Sequence, residues 1–165
     1  RQECGALRRR QYGVRRMIIR KATHDDIPRI VEMAERFYAS TDYPAIGPAS
    51  KASLAGLAII TMESGVMLVA QTDHGEVIGM ACLFIEPFTF NPSILVASEL
   101  AWWIEPEHRG GALAGRMMRA IENECHGMDV NVIRMATLRN SPPQAAAIYE
   151  RMGYAQSDSH YMRAI

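Results

Sequence analysis

Cysteine is nearly absent from this chain, with three among 165 residues, and no pair has the C-x-x-C spacing. So sparse and odd a set excludes a disulfide framework and points to a reducing, cytoplasmic compartment. Cys82 and Cys125 fall within apolar patterns and read as small buried residues. No apolar run approaches the roughly 18–20 residues that span a bilayer, which excludes a transmembrane helix and a membrane partner. The five histidines, His24, His74, His108, His126 and His160, show no H-x-x-x-H spacing, so no metal site is expected. Neither charge is in excess, with 18 Lys and Arg against 18 Asp and Glu. That balance hides a bias, because from Met17 onward 12 basic residues face 17 acidic ones. A mildly acidic body carries no general footprint for nucleic acid. Residues 1–16 read as an appended, flexible, arginine-rich arm without the apolar segment of a secretory signal. The alternative for the arm is a contact with an anionic surface.

The chain does have the makings of one globular domain, at 48% apolar and 22% charged residues. Residues 17–165 are long enough for a sizeable core and show no repeat or second boundary. The chemistry is expected between Glu99 and Glu122. An apolar, β-favouring run ends at Pro106, which cannot continue a central strand. The small-residue turn Arg109-Gly110-Gly111-Ala112-Leu113-Ala114-Gly115 follows. Leu113, Ala114, Met117, Met118 and Ile121 then recur at helical spacing. Strand, glycine turn and helix make an anion site, because the first helical amides lack partners and the dipole favours a phosphate there. The plainer alternative is a turn that lets strand and helix pack closely. Gly110 and Gly115 have the Walker A spacing, but Arg116-Met117 stands where Lys and Ser or Thr belong, which argues against nucleotide hydrolysis. No G-x-G-x-x-G supports a dinucleotide fold.

Along the chain, Met17–Lys21 reads as a strand. Thr23 caps a helix that carries Ile27, Ile30, Val31, Ala34, Phe37 and Tyr38 to about Ser40. Thr41–Ala49 is loop, and Ser50 caps a second helix ending near Gly65. Val66–Thr72 and Glu76–Glu86 are strands joined by the turn Asp73-His74-Gly75. Phe88–Ser93 is expected as loop and Ile94–Ile104 as the hairpin partner of the preceding strand. After the glycine turn and helix, Asn131–Thr137 is expected as a strand parallel to Ile94–Ile104. Ser141 is expected to cap a last helix ended by Gly153, and Tyr154–Ala164 to close the chain as strand.

With these residues, the order β-α-α-β-β-β-α-β-α-β resembles the Gcn5-related N-acetyltransferase (GNAT) family from Met17 onward. The segment Trp102-Trp103-Ile104-Glu105-Pro106-Glu107-His108-Arg109-Gly110 is similar to the family's strand-Pro-x-x-Arg-Gly approach to its acyl-CoA loop. Arg109 to Ala114 follows the pattern R/Q-x-x-G-x-G/A, except that Ala112 replaces the first glycine. Asn140, Ala146, Tyr149, Gly153 and Tyr154 resemble the N…A…Y-E-x-x-G-F/Y signature. The fold implied is α/β (α+β), a mixed central sheet with helices on both faces.

That resemblance implies acetyl-CoA as acyl donor and a primary amine, on a small molecule or a peptide, as acceptor. Amides from Gly110 through Gly111, Ala112, Leu113 and Ala114 to Gly115 would hold the pyrophosphate, supported by Arg109 or Arg116. The Ala112 methyl would stand beside the pyrophosphate path. Pantetheine would extend along the backbone of Trp102, Trp103 and Ile104, with Asn140 bonding it or bracing the loop. Tyr149 would meet the sulfur and protonate the departing thiolate; the alternative is a tyrosine that only packs helix on sheet. Glu99 is the candidate base, the alternative being an ion pair with a neighbouring strand. On a regular strand it shares a face with Ala101 and Trp103 and acts through water, about 10 Å from the Trp102 backbone. The acceptor pocket is expected from Phe37–Leu57, Phe84–Ser93 and Tyr154–His160, with Glu86, Glu99 and Glu105 favouring a cation. A non-catalytic acyl-CoA sensor is the competing reading. Family members are often homodimers, and no feature of the sequence selects an interface.

Overall fold

The computed structural model describes residues 17–163. The arginine arm expected over residues 1–16 lies outside them. Five strands form one sheet in the order β1-β2-β3-β4-β5: β1 Ile18–Lys21, β2 Gly65–Gln71, β3 Val77–Phe88, β4 Asn91–Ile104 and β5 Val132–Arg134. The first four are antiparallel neighbours, and β5 joins β4 in parallel. Helix α3 (Leu113–Gly127) supplies the crossover that a parallel pair requires.

Each sheet face buries a helical layer. Met117, Met118, Ile121 and Cys125 of α3 pack on Val66, Leu68, Ala81, Leu83 and Ala97. On the other face, Ile30 and Met33 of α1 (Ile27–Ala39) and Ala58 of α2 (Lys51–Ser64) meet Met67, Val69, Met80 and Cys82. Alternating side chains of β2 and β3 thus enter opposite cores, as the period of a strand dictates. Thr23 and Asp26 form a capping box before α1, and the Ser50 hydroxyl accepts from Ser53 N–H at 3.3 Å to start α2. Cys82 and Cys125 are buried, and burial pushes both thiols up to about 11.

Four sequence expectations change. Phe88–Ser93 is not a loop, because β3 and β4 turn within two residues and Pro87 pairs with Leu95. The prolines are tolerated because β2 has ended at the partner of Phe84 and β5 begins only opposite Val96. The strand expected over Asn131–Thr137 shrinks to Val132–Arg134. Ser141 does not cap α4 (Gln144–Arg151), since its hydroxyl turns back to accept from Leu138 N–H at 2.8 Å. Finally, no strand forms between Tyr154 and Arg163. Gln156, Ser157, Asp158, Ser159 and His160 are exposed and offer no alternate apolar face to bury against β5.

Candidate active site

The register of β3 and β4 slips by one residue, with Cys82 opposite Ala101 but Leu83 opposite Glu99. Leu100 is therefore an unpaired bulge residue, 37% exposed. The slip corrects the expected placement of Glu99. Ala101 and Trp103 stay on the α1/α2 face, while Glu99 turns to the α3 face with Ala97 and Trp102. The same bulge ends pairing with β5, whose last partner is Ser98, so the two parallel strands part beyond it.

The opening is bridged by side chains. Glu99 Oε2 accepts from Ala136 N–H at 2.9 Å and lies 3.5 Å from the Tyr149 hydroxyl. That hydroxyl also stands 3.2 Å from the Ala136 carbonyl. Tyr149 is 8% exposed, on α4, and its ring packs 5.7 Å from that of Trp102. Gly153 ends α4 at φ +86°, and Tyr154 N–H returns to the Tyr149 carbonyl at 3.0 Å, so the position of Tyr149 is set by the helix terminus. Burial pushes the Glu99 carboxyl up to about 7, against the opposing bonds from Ala136 and Tyr149. Burial, and then the nearby Glu99 charge, raise Tyr149 above its ordinary value.

A cavity of about 630 Å³ opens at this pair. It reaches Gly110 and Gly111 at one end and Phe37, Thr41 and Tyr43 at the other. Of the residues expected to hold a donor, Trp102, Trp103, Ile104, Arg109, Gly110, Gly111, Ala114 and Asn140 line it. Leu113 is a core residue, 5% exposed, and Ala112, Gly115 and Arg116 do not line the cavity. Arg116 donates to the Met17 carbonyl at 2.6 Å, which ties α3 to the first strand. Arg109 donates to the Ile104 carbonyl at 2.7 Å and stacks 4.3 Å from the Trp103 ring. Trp103 in turn donates to Glu105 at 3.2 Å. Glu105 is 2% exposed and held by Arg29 at 2.7 Å and Arg36 at 2.6 Å. The buried Glu105 carboxylate, fixed by its two arginines, thereby orients the indole on which Arg109 stacks.

Asn140 donates to Asp42, in the segment after α1, at 3.1 Å, and Arg139 grips the same carboxylate at 2.9 and 3.0 Å. Neither Phe84–Ser93 nor Tyr154–His160 contributes to the cavity; of the three expected acceptor segments, only the first does. Glu86 meets the Ser98 hydroxyl at 3.2 Å outside the cavity, and Glu105 is engaged by its arginines. Leu100 and Ala136 had no signal in the sequence. A bulge is a property of two strands, and Ala136 takes part only through its main chain.

The donor end suits a phosphate. Gly110 has φ +84°, a conformation open to glycine, and Ala112 caps the start of α3 at φ −74° as an exposed residue. The N–H groups of residues 110–115 donate no hydrogen bond among the described residues; Arg116 N–H is the first to find a carbonyl, that of Ala112. Trp102 Nε1 is a further buried donor without an acceptor. Unpaired amides at a helix start, opening on a cavity that holds a carboxylate and a phenol, suit a transferase with a phosphate-bearing donor.

The family model described as an acetyltransferase (GNAT) domain matches residues 63–156, and the chain belongs to that family. It is an acetyltransferase that draws on acetyl-CoA. Among solved structures, it is similar to a predicted acetyltransferase from Clostridium acetobutylicum, determined with acetyl-CoA. The identity is 18% and the TM-score 0.70, over 90% of this chain and 96% of that one. It is also similar to the ribosomal-protein-alanine N-acetyltransferase of Brucella melitensis, at 15% identity and TM-score 0.70, over 90% and 99% of the two chains. An aminoglycoside acetyltransferase from an uncultured soil metagenomic sample matches at 13% identity and TM-score 0.68, over 91% and 99%. At such identities the likeness is one of fold. Among curated protein sequences there is no match.

Proposed function

We propose that the protein transfers the acetyl group of acetyl-CoA to a primary amine by direct attack. Glu99 acts as base, and Tyr149 as hydrogen-bond donor to the leaving sulfur. The observation that carries this reading is the Glu99–Tyr149 contact of 3.5 Å, in a cavity continuous with the glycine turn. The amides of Gly110, Gly111 and Ala114, which line the cavity, and the backbone of Trp102 to Ile104 are the groups that would hold the donor. The donor supplies an acyl thioester whose sulfur departs with the bonding electron pair.

Glu99 accepts the proton that the amine nitrogen must lose, and a carboxyl titrating near 7 is suited to that task. Tyr149 answers the negative charge that develops on sulfur. Its raised pKa makes it a hydrogen-bond donor before it is an acid. As its proton moves to sulfur, protonated Glu99 restores it across the same contact, so no external acid is required. Thiol release from acetyl-CoA across a panel of amines tests the reading. Turnover that falls in both Glu99→Gln and Tyr149→Phe supports it; binding of acetyl-CoA without turnover of any amine overturns it.

A further inference from the structure

The acceptor end of the cavity is walled by Phe37, Tyr43, Leu100 and Trp103. Two of its hydroxyls are already engaged: Ser40 donates to the Phe37 carbonyl at 2.7 Å and Thr41 to the Tyr38 carbonyl at 2.7 Å. Among the described residues, Glu99 is the one carboxylate that lines the cavity, whereas His108, Arg109 and Arg151 bring basic groups to it. A second carboxylate, Asp42, sits on the rim between the lining residues Thr41 and Tyr43. Arg139 and Asn140 occupy it with bonds of 2.9–3.1 Å, and the Arg139 pairing holds it below the usual carboxylate range. Glu105, the remaining candidate near the wall, is held by Arg29 and Arg36.

We infer that the acceptor is a small primary monoamine with an aromatic or comparably apolar body, a selectivity that rests on the acetyl-transfer reading above. The aromatic and aliphatic wall buries such a body. An acceptor with a second ammonium group finds, among the described residues lining the cavity, no carboxylate besides the base Glu99, which disfavours it. A peptide backbone finds the Ser40 and Thr41 hydroxyls at this end bonded to the last turn of α1. The Asp42–Arg139 pair is exposed and weak as a barrier. Its effect is to neutralise the carboxylate that would otherwise recruit a diamine.

The test compares kcat/KM of the whole chain for 2-phenylethylamine, spermidine and a trialanine peptide, with acetyl-CoA as donor and thiol release as readout. Phenylethylamine is expected to lead by about tenfold or more, the discrimination an apolar pocket provides. Arg139→Ala leaves Asp42 with the single bond from Asn140 and its charge unpaired, and is expected to raise spermidine relative to phenylethylamine several-fold. Preference of the wild type for spermidine or peptide overturns the inference and leaves acetyl transfer standing. An unchanged ratio in Arg139→Ala overturns the role of Asp42. Thiol release with none of the amines, while acetyl-CoA binds, overturns the acetyl-transfer reading and this inference with it.

Discussion

The Tyr149 hydroxyl stands 3.5 Å from Glu99 Oε2 because one extra residue, Leu100, turns Glu99 onto the face of the sheet that α4 covers. Without the bulge the carboxylate would face α1 and α2, on the same side as Ala101 and Trp103. The splay of β4 from β5 and the approach of the two functional groups are thus consequences of one register slip.

Glu99→Gln removes the acidic limb of the pH profile. The base needs its charged form, so kcat/KM of the wild type falls as pH drops through about 7. The variant shows low activity without that inflection. Its stability changes the opposite way. A carboxyl raised from 4.5 to about 7 on folding is best tolerated below the lower value, and stability is lost as pH rises through the upper one. Glu99→Gln is therefore expected to melt higher than wild type at pH 8, by about 2–4 °C for each kcal/mol relieved.

Tyr149→Phe keeps the ring on Trp102 and loses the hydroxyl. We expect kcat to fall about 10²–10⁴-fold, the range of a positioned proton donor, with KM for acetyl-CoA nearly constant. A rise in KM at constant kcat would give the hydroxyl a binding role instead.

The glycine turn separates two residues that look alike in sequence. Gly110→Ala forces a side chain onto φ +84° and costs about 1–2 kcal/mol, read as a raised KM for acetyl-CoA and a lower melting temperature. Ala112→Gly alters a residue with ordinary φ that stands off the cavity. It is expected to change affinity and stability by less than about 1 kcal/mol, as checked by calorimetry.

Acid stability depends on Arg20 and Asp26, which meet at 2.7 and 2.9 Å beside the first turn of α1. The Arg20 guanidinium holds the Asp26 carboxyl down to about 2 from 3.8. That stabilisation is complete above 3.8 and is lost as pH falls through about 2. Asp26→Asn is expected to cost roughly 1.5–3 kcal/mol at neutral pH in urea unfolding. The difference from wild type should close as pH approaches 2.

Much of the architecture was legible because it is local. Helical spacing in Ile27–Tyr38 and Leu113–Ile121, the Ser50 cap and the Gly75 turn each depend on residues a few positions apart, and each formed where expected. The errors fell where strands decide one another's fate. Asn131–Thr137 has strand composition throughout, yet only Val132–Arg134 has a partner, because β4 turns away after Ser98. The tail after Tyr154 has no partner at all among the described strands. The donor turn was visible as glycines at a helix start. The absence of Ala112, Gly115 and Arg116 from the cavity was not, since helix phase about the cavity is set by packing of α3 on the sheet.

By itself the sequence determined the order of elements as far as α4 and the glycine turn at a helix start, which follow from short-range spacing and the conformational freedom of glycine, and its motifs carried the resemblance to the family. The tertiary structure decided which face Glu99 occupies, how close it comes to Tyr149, and that Arg139 occupies Asp42 at the cavity rim. Those outcomes depend on the register between β3 and β4 and on loops nearly 100 residues apart, 97 for Asp42 and Arg139. No local pattern encodes a bulge, because the extra residue is defined only against the strand it fails to pair with.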